Sequence, residues 1–206
     1  MKSKRVLFAA IAAALTGAVL TPVIQNGAIA QATDAESLVA SGSKSNARNY
    51  FTTALEVHNR YRARHGVPAL ARDPRLERSA RTWASKIAKK GKLEHSGAGD
   101  RNNAGENLAF FANSAPIPWR VAVERAVGNW YNEIGSYNYS RPGFAAGTGH
   151  FTQVVWKNST SLGCGVAEGE KITRGSTQLN TYYVVCHYGP AGNVQGQFPE
   201  NVLPSR

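Results

Sequence analysis

Apolar residues recur with the period of an α-helix in three segments of this chain. The first segment ends at Gly66, and its stripe consists of Phe51, Leu55, His58 and Arg62, with Ala54 and Tyr61 beside it. The second begins with Asp73 as N-cap and Pro74 in the first turn, and it ends at Gly91. Its stripe is Leu76, Ala80, Trp83, Ala84 and Ile87. The third covers residues 119–134. The pattern therefore predicts three amphipathic helices.

Three apolar segments nearer the C-terminus are shorter. Residues 163–167 and 181–188 are predicted to be strands, because the second is a run of aromatic and β-branched side chains that a Gly-Pro turn ends. Residues 152–156 are also apolar and β-branched, but their length fits a short buried helix as well as a strand. Periodicity leaves that choice open.

The N-terminus has the organisation of a secretory signal peptide. Three basic residues precede an apolar stretch over residues 6–20, and a small-residue cleavage site ends near Ala30. The alternative, an uncleaved membrane anchor, needs about 20 apolar residues, more than this stretch offers. We therefore predict a Sec-type leader over residues 1–30, a flexible linker over 31–48 and a single domain over 49–206, in a secreted or periplasmic protein.

The composition is that of one globular domain with a net positive charge. With 42% hydrophobic and 18% charged residues, the chain can build a hydrophobic core. The formal net charge is +11, and about +8 remains once the three basic residues of the leader are removed. The basic residues alternate with apolar ones on predicted helices, which is typical of a solvated helix face, and no nucleic-acid motif accompanies them. We expect no nucleic-acid partner; the charge favours attraction to an anionic envelope polymer or lipid surface.

Two longer motifs follow one another near the C-terminus. Residues 149–156 are GHFTQVVW, and residues 186–193 are CHYGPAGN. They resemble the two signatures of the CAP superfamily, which comprises cysteine-rich secretory proteins, antigen 5 and plant pathogenesis-related class one proteins. HNRYR at residues 58–62 and GENL at residues 105–108 resemble shorter motifs of the same family. The resemblance covers roughly residues 50–199. It implies an α+β fold, a three-layer α-β-α sandwich around a small, mostly antiparallel sheet.

The resemblance also has local implications. It favours a short helix after Gly149, with His150 at its start and facing a cleft. It makes His58 a packed, hydrogen-bonded residue of the first helix rather than a site residue. The only two cysteines of the chain, Cys164 and Cys186, lie in the two predicted strands. A disulfide between them is expected in an exported protein, and closing that loop is worth about 3 kcal/mol.

Four residues match the cleft tetrad of the family: His95, Glu106, Glu133 and His150. Their grouping rests on the resemblance, because no short motif links them. Two imidazoles and two carboxylates suit a site for zinc or another divalent metal, with His95 and His150 as ligands. A metal-free hydrogen-bond network is the alternative. Glu133 falls in the last turn of a predicted helix, where a carboxylate opposes the helix dipole, so a site role would explain its position. Solvent exposure is the alternative for Glu133.

A loop over residues 135–148 carries three aromatic residues, Tyr137, Tyr139 and Phe144. Their spacing resembles the pattern called caveolin-binding in sterol-binding members of the family, which implies a ligand-binding loop. Packing on the core is the alternative. Ser96 and Gln153 are candidates for the lining of the cleft. For both of them, and for His187, hydrogen bonding to the backbone is the alternative that residue type favours.

Three functions follow as hypotheses, and we rank them in this order. The first is a non-enzymatic, monomeric binder of a small apolar ligand such as a sterol or fatty acid. The second is an envelope or host interaction protein that uses its basic surface. The third is a metal-dependent hydrolase built on the tetrad. It ranks last because a metalloprotease needs a third strong ligand. Nucleophilic catalysis is not expected, since both cysteines are assigned to the disulfide and no Ser-His-Asp arrangement is apparent.

Overall fold

A computed structural model describes residues 50–206 of the chain. The predicted leader and linker lie outside the described residues. The helices are α1 (50–64), α2 (Pro74–Lys90), α3 (Trp119–Asn132), α4 (Gly149–Val154) and α5 (Phe198–Asn201). The strands are β1 (Ala71–Arg72), β2 (Gly105–Asn113), β3 (Ser161–Arg174) and β4 (Thr177–Gly189). None of the helices within this part of the chain combines the length and apolar character needed to cross a bilayer.

The four described strands form one sheet in the order β1-β3-β4-β2. β3 and β4 pair as a long antiparallel hairpin, β2 is antiparallel to β4, and the short β1 is parallel to β3. One core lies between the sheet and α1, α3 and α4, and a second lies between the sheet and α2. The predicted α+β fold, with α-β-α layers around a mostly antiparallel sheet, is confirmed.

Alternation along β4 assigns the two faces of this sheet. Cys186 and Val184 point into the core formed with α1 and α3, whereas Tyr183 and Val185 point towards α2. Residues 181–188 are buried throughout. Helices therefore cover the strand on both faces, which explains why its sequence is a continuous apolar run instead of an alternating one.

α2 lies directly on β3 at a point where the strand carries Gly163 and Gly165. A Cβ atom at Gly163 would lie 2.0 Å from the backbone nitrogen of Glu77 in α2, so only glycine permits this approach. Asp73 caps the first turn of α2 with its side chain, and Gly91 ends the helix with φ of 63°. Both predicted ends of α2 are confirmed.

The predicted disulfide is also confirmed. Cys164 and Cys186 are directly opposite each other in the β3–β4 ladder, with their Cα atoms 4.1 Å apart, and both side chains are fully buried. The bridge therefore joins the two central strands on the face that packs against α1 and α3.

The helix boundaries settle one point that the sequence left open and correct another. α4 covers Gly149–Val154, so the helical alternative is correct for this segment. α3 ends at Asn132, so Glu133 lies just beyond the helix and begins a short 3-10 helix, Glu133–Ser136. The predicted position of Glu133 in the last turn is therefore corrected by one residue.

Candidate functional site

A cleft of about 250 Å³ brings side chains from distant parts of the chain together. Its lining residues are His95, Glu106, Asn107, Phe144, Ala146, Gly149, His150 and Asn193. Three members of the predicted tetrad thus share one cleft. The fourth, Glu133, is hydrogen-bonded to His150.

Glu106 holds His95 at the cleft. The Nδ1–H of His95 donates to Oε1 of Glu106 over 2.7 Å. The side chain of Glu106 is 1% exposed, whereas that of His95 is 62% exposed. A buried carboxylate therefore fixes an accessible imidazole through one nitrogen, which leaves the lone pair on Nε2 available.

Glu106 is buried and nevertheless ionised. The backbone nitrogen and Oγ of Ser96 donate to its two oxygens over 2.9 and 2.8 Å, and Nε2 of His187 donates over 3.0 Å. Burial by itself would raise the pKa of Glu106, but the hydrogen bonds from His187, His95 and Ser96 outweigh burial and hold that pKa well below its usual range. The charged carboxylate can therefore orient His95 at neutral pH.

Glu133 performs the matching role for His150. The Nδ1–H of His150 donates to Oε1 of Glu133 over 2.7 Å. The other carboxylate oxygen accepts the backbone N–H groups of His150 and Phe151 over 3.0 and 3.1 Å, in the first turn of α4. A carboxylate that is unfavourable at the end of α3 is thus favourable at the start of α4, which explains its position.

A buried chain of hydrogen bonds connects α1 to the cleft. His58 donates from Nδ1 to the carbonyl of Ala54 over 2.6 Å and accepts from the hydroxyl of Tyr188 over 2.8 Å. Asn107 donates to the Tyr188 hydroxyl over 3.2 Å and to the carbonyl of His150 over 3.1 Å. Burial lowers the pKa of His58 to about 4, so its ring is neutral. The prediction that His58 is a packed helix residue is confirmed.

The structure places Ser96 and Gln153 behind the cleft instead of on its lining. Ser96 is buried, and its backbone nitrogen and hydroxyl both donate to Glu106. Gln153 is buried too: its Oε1 accepts from the backbone nitrogen of Gly192 over 2.9 Å, and its Nε2 donates to Ser159 over 3.2 Å. Both side chains support the walls of the site, so their predicted position is corrected.

His187 belongs to the site, a role that no motif in the sequence indicated. Its side chain is 1% exposed and lies between Oε2 of Glu106, at 3.0 Å, and Oγ of Ser79 on α2, at 2.7 Å. Side chains therefore satisfy His187, and not the backbone as residue type suggested. The sequence offered one signal for its placement. Cys186, its neighbour in the predicted strand, was assigned to the disulfide, and adjacent strand residues face opposite sides of a sheet, so His187 had to lie on the face opposite the disulfide. The pairing of His187 with Glu106 depends on the β2–β4 register, which no local motif reveals.

The three aromatic residues of the loop have different surroundings. Tyr137 is buried, and its ring contacts that of Tyr139 at a centroid distance of 4.8 Å. Tyr139 packs partly buried against the main core. Phe144, in contrast, is 60% exposed and lines the cleft. The packing alternative thus describes the two tyrosines, and of the three aromatic residues only Phe144 lines the cleft.

The donor set of the cleft limits what it can bind. Glu106 and Glu133 each accept a hydrogen bond from the Nδ1 atom of one cleft histidine. No hydrogen bond to either Nε2 atom is found within residues 50–206. In the same part of the chain, no group of three or more His, Cys, Asp or Glu side chains is arranged to hold a metal ion. Any metal bound by these two imidazoles would keep positions for water or a ligand.

Sequence comparison identifies similar proteins. Residues 55–188 match the model of the cysteine-rich secretory protein family, CAP. Human Golgi-associated plant pathogenesis-related protein 1 is 39% identical over 165 residues, which cover 79% of this chain and 98% of that protein. Protein PRY2 of Saccharomyces cerevisiae is 38% identical, and the match covers 76% of this chain and 42% of PRY2. Secreted protein RBT4 of Candida albicans is 40% identical, and the match covers 71% of this chain and 36% of RBT4. The chain thus spans less than half the length of the two fungal relatives.

Solved structures share this architecture. The crystal structure of NaASP2 with Zn2+ is similar with a TM-score of 0.56 and 25% identity, over 77% of this chain and 86% of that chain. The structure of BmVAL-1 is similar with a TM-score of 0.55 and 22% identity, over 74% and 84% of the two chains. These similarities agree with the three-layer arrangement described above.

Proposed function

Because the chain belongs to the cysteine-rich secretory protein family, CAP, we propose that it is a secreted binding protein whose cleft takes up a divalent metal ion through His95 and His150. Secretion is supported by relatives such as the secreted protein RBT4 of Candida albicans. The signal peptide predicted over residues 1–30 agrees with this location.

The observation that carries the metal proposal is the pairing of each cleft histidine with its own glutamate. Both histidines donate from Nδ1 to a carboxylate over 2.7 Å. This pairing fixes the tautomer and the orientation of the ring, so that Nε2 keeps its lone pair. Imidazole nitrogens of this kind suit Zn2+. The likeness to NaASP2, whose crystal structure was determined with Zn2+, supports the same ion.

The number of protein ligands favours binding over hydrolysis. Zinc hydrolases hold their metal with three protein ligands, whereas the cleft lining offers the two imidazoles of His95 and His150. When bound, Zn2+ would supply Lewis acidity towards a ligand oxygen. Glu106 and Glu133 keep their hydrogen bonds to the histidines, and they orient the rings instead of acting as bases on a substrate.

The purified protein is expected to take up Zn2+ in a titration against a chromophoric chelator, and His95→Ala and His150→Ala are each expected to weaken that uptake more than tenfold. Each substitution removes one of the two imidazole ligands. Glu133→Gln should weaken uptake less, because it changes the orientation of His150 without removing a ligand.

Glu94→Gln is the matched control for these variants. Glu94 is next to His95 in sequence, but its carboxylate pairs with Lys90 and Lys92, outside the cleft lining. Its replacement should leave Zn2+ uptake unchanged. The metal proposal fails if the wild-type protein takes up no Zn2+, or if the double variant His95→Ala/His150→Ala takes it up as well as the wild type.

A small apolar ligand is the second function that a specific observation favours, namely the exposure of Phe144 at the cleft. Phe144→Ala is expected to weaken binding of a fluorescent sterol or of palmitate about tenfold, because burying a phenyl ring contributes roughly 1.5–3 kcal/mol. Leu93→Ala is the control, since Leu93 is 45% exposed and does not line the cleft. Equal binding by wild type and Phe144→Ala would remove this second function.

A further inference from the structure

The outer face of α2 is strongly cationic. The helix has 17 residues and is therefore about 25 Å long. Its exposed cations are Arg75, Arg78, Arg81, Lys86, Lys89 and Lys90. Glu77, the only acidic residue of the helix, is buried and paired with Arg72 over 2.6 Å. The side of α2 that faces solvent therefore presents positive charge along its whole length.

Most of this charge is uncompensated within the domain. Among residues 50–206, no ion pair involves Arg75, Arg78, Arg81 or Lys89. Lys90 is neutralised by Glu94. Other acids lie at the margins: Asp100 lines a hollow with Lys86, and Glu168 and Glu170 line another with Lys86 and Lys89. Like charges along one helix face repel each other, so an anionic partner would stabilise this surface.

The middle of the face forms a hollow suited to a phosphate group. Arg78, Arg81, Thr82 and Ser85 line a volume of about 320 Å³. Guanidinium groups match the geometry of phosphate oxygens with paired N–H donors, and hydroxyl groups add further donors. No carboxylate lines the hollow. Its chemistry therefore selects an anion with several oxygens.

Two exposed apolar side chains, one on the α2 face of the sheet and one shortly after the end of α2, favour a membrane over a soluble polymer. Phe110 is 38% exposed, and its ring contacts Tyr183, which packs under α2, at a centroid distance of 5.0 Å. Leu93, three residues after the end of α2, is 45% exposed. A soluble polyanion gains no binding energy from exposed apolar side chains, whereas a lipid surface binds basic and apolar side chains together.

We propose that the outer face of α2 docks onto membranes rich in anionic phospholipid and that a phosphodiester headgroup occupies the hollow between Arg78 and Arg81. Several basic side chains act together in this docking, because each one near an anionic leaflet strengthens binding about fivefold. The surface lies on the opposite face of the sheet from α1 and α3, and its lining is separate from that of the metal cleft.

Sedimentation with lipid vesicles tests this proposal. The protein is expected to bind vesicles of phosphatidylcholine and phosphatidylglycerol mixed at about 3:1, and to bind pure phosphatidylcholine vesicles far less. Arg78→Gln/Arg81→Gln is expected to weaken binding to the mixed vesicles about 30-fold, and added NaCl should weaken binding by the wild-type protein.

Arg120→Gln/Arg125→Gln is the matched control, because it removes the same charge from exposed positions of α3, on the other face of the sheet. It should retain at least a third of the wild-type affinity. Equal losses in the two double variants would overturn the assignment to α2, and equal binding to the two kinds of vesicle would overturn the role of charge. Retention on polyphosphate beads without vesicle binding would assign the face to a soluble polymer and overturn the membrane proposal.

Discussion

Replacing Arg62 with Met is expected to lower the free energy of unfolding by at least about 4 kcal/mol. The guanidinium of Arg62 is fully buried and donates hydrogen bonds over 2.8–3.0 Å to four backbone carbonyls. The acceptors are Pro68, Val154, Trp156 and Ser159. Met retains much of the apolar volume but provides no donors, and a buried acceptor that loses its partner costs about 1–3 kcal/mol. The side chain thus connects α1 to the end of α4 and to the turn that follows it.

Urea unfolding followed by tryptophan fluorescence measures this effect. Arg60→Met is the control, because Arg60 is exposed on the same helix and only approaches the ring of Tyr61. Its free energy of unfolding should change by less than about 0.5 kcal/mol. If Arg62→Met lowered the free energy of unfolding as little as Arg60→Met is expected to, the carbonyl contacts of Arg62 would contribute little to stability.

The sequence predicted the architecture correctly where residues close together in the chain determine an element or its ends. Asp73 and Gly91 mark the ends of α2 because capping is a local interaction. The strand over residues 181–188 was predictable because burial on both faces requires a continuous apolar run. The choice between helix and strand for residues 152–156 was not available from periodicity, because a segment of this length fits both patterns. There the family resemblance supplied the answer.

The site followed from the sequence only in part, because its geometry depends on contacts between distant segments. The grouping of His95 and Glu106 in one cleft came from the resemblance, since nothing in the spacing of the two residues indicates a contact, and their hydrogen bond is visible only in the structure. His187 was missed because its partner is set by the register of β2 against β4. Gln153 was misplaced because no local rule shows on which side of a short helix the cleft opens. Tyr137 was ambiguous because an aromatic residue in a loop has no periodicity to show whether it is buried.

Removing the disulfide with Cys164→Ala/Cys186→Ala is expected to lower the free energy of unfolding by about 3 kcal/mol. The two cysteines are separated by 22 positions, so the bridge restricts a long segment of the unfolded chain. It joins strands that also pair through backbone hydrogen bonds, and the native hairpin therefore persists without it. The loss should appear as a lower urea midpoint, with the β-sheet signal of the folded protein retained in circular dichroism.

Reductant supplies the internal control for this experiment. Both cysteines are fully buried, so a thiol reagent reaches the bridge chiefly when the protein unfolds. Unfolding the wild-type protein in the presence of dithiothreitol should therefore lower its urea midpoint towards that of the double variant, whose own midpoint should not respond to the reagent. If the wild-type midpoint is the same with and without dithiothreitol, the bridge does not stabilise the fold. The loss seen in the double variant would then be due to the cavity left by two sulfur atoms.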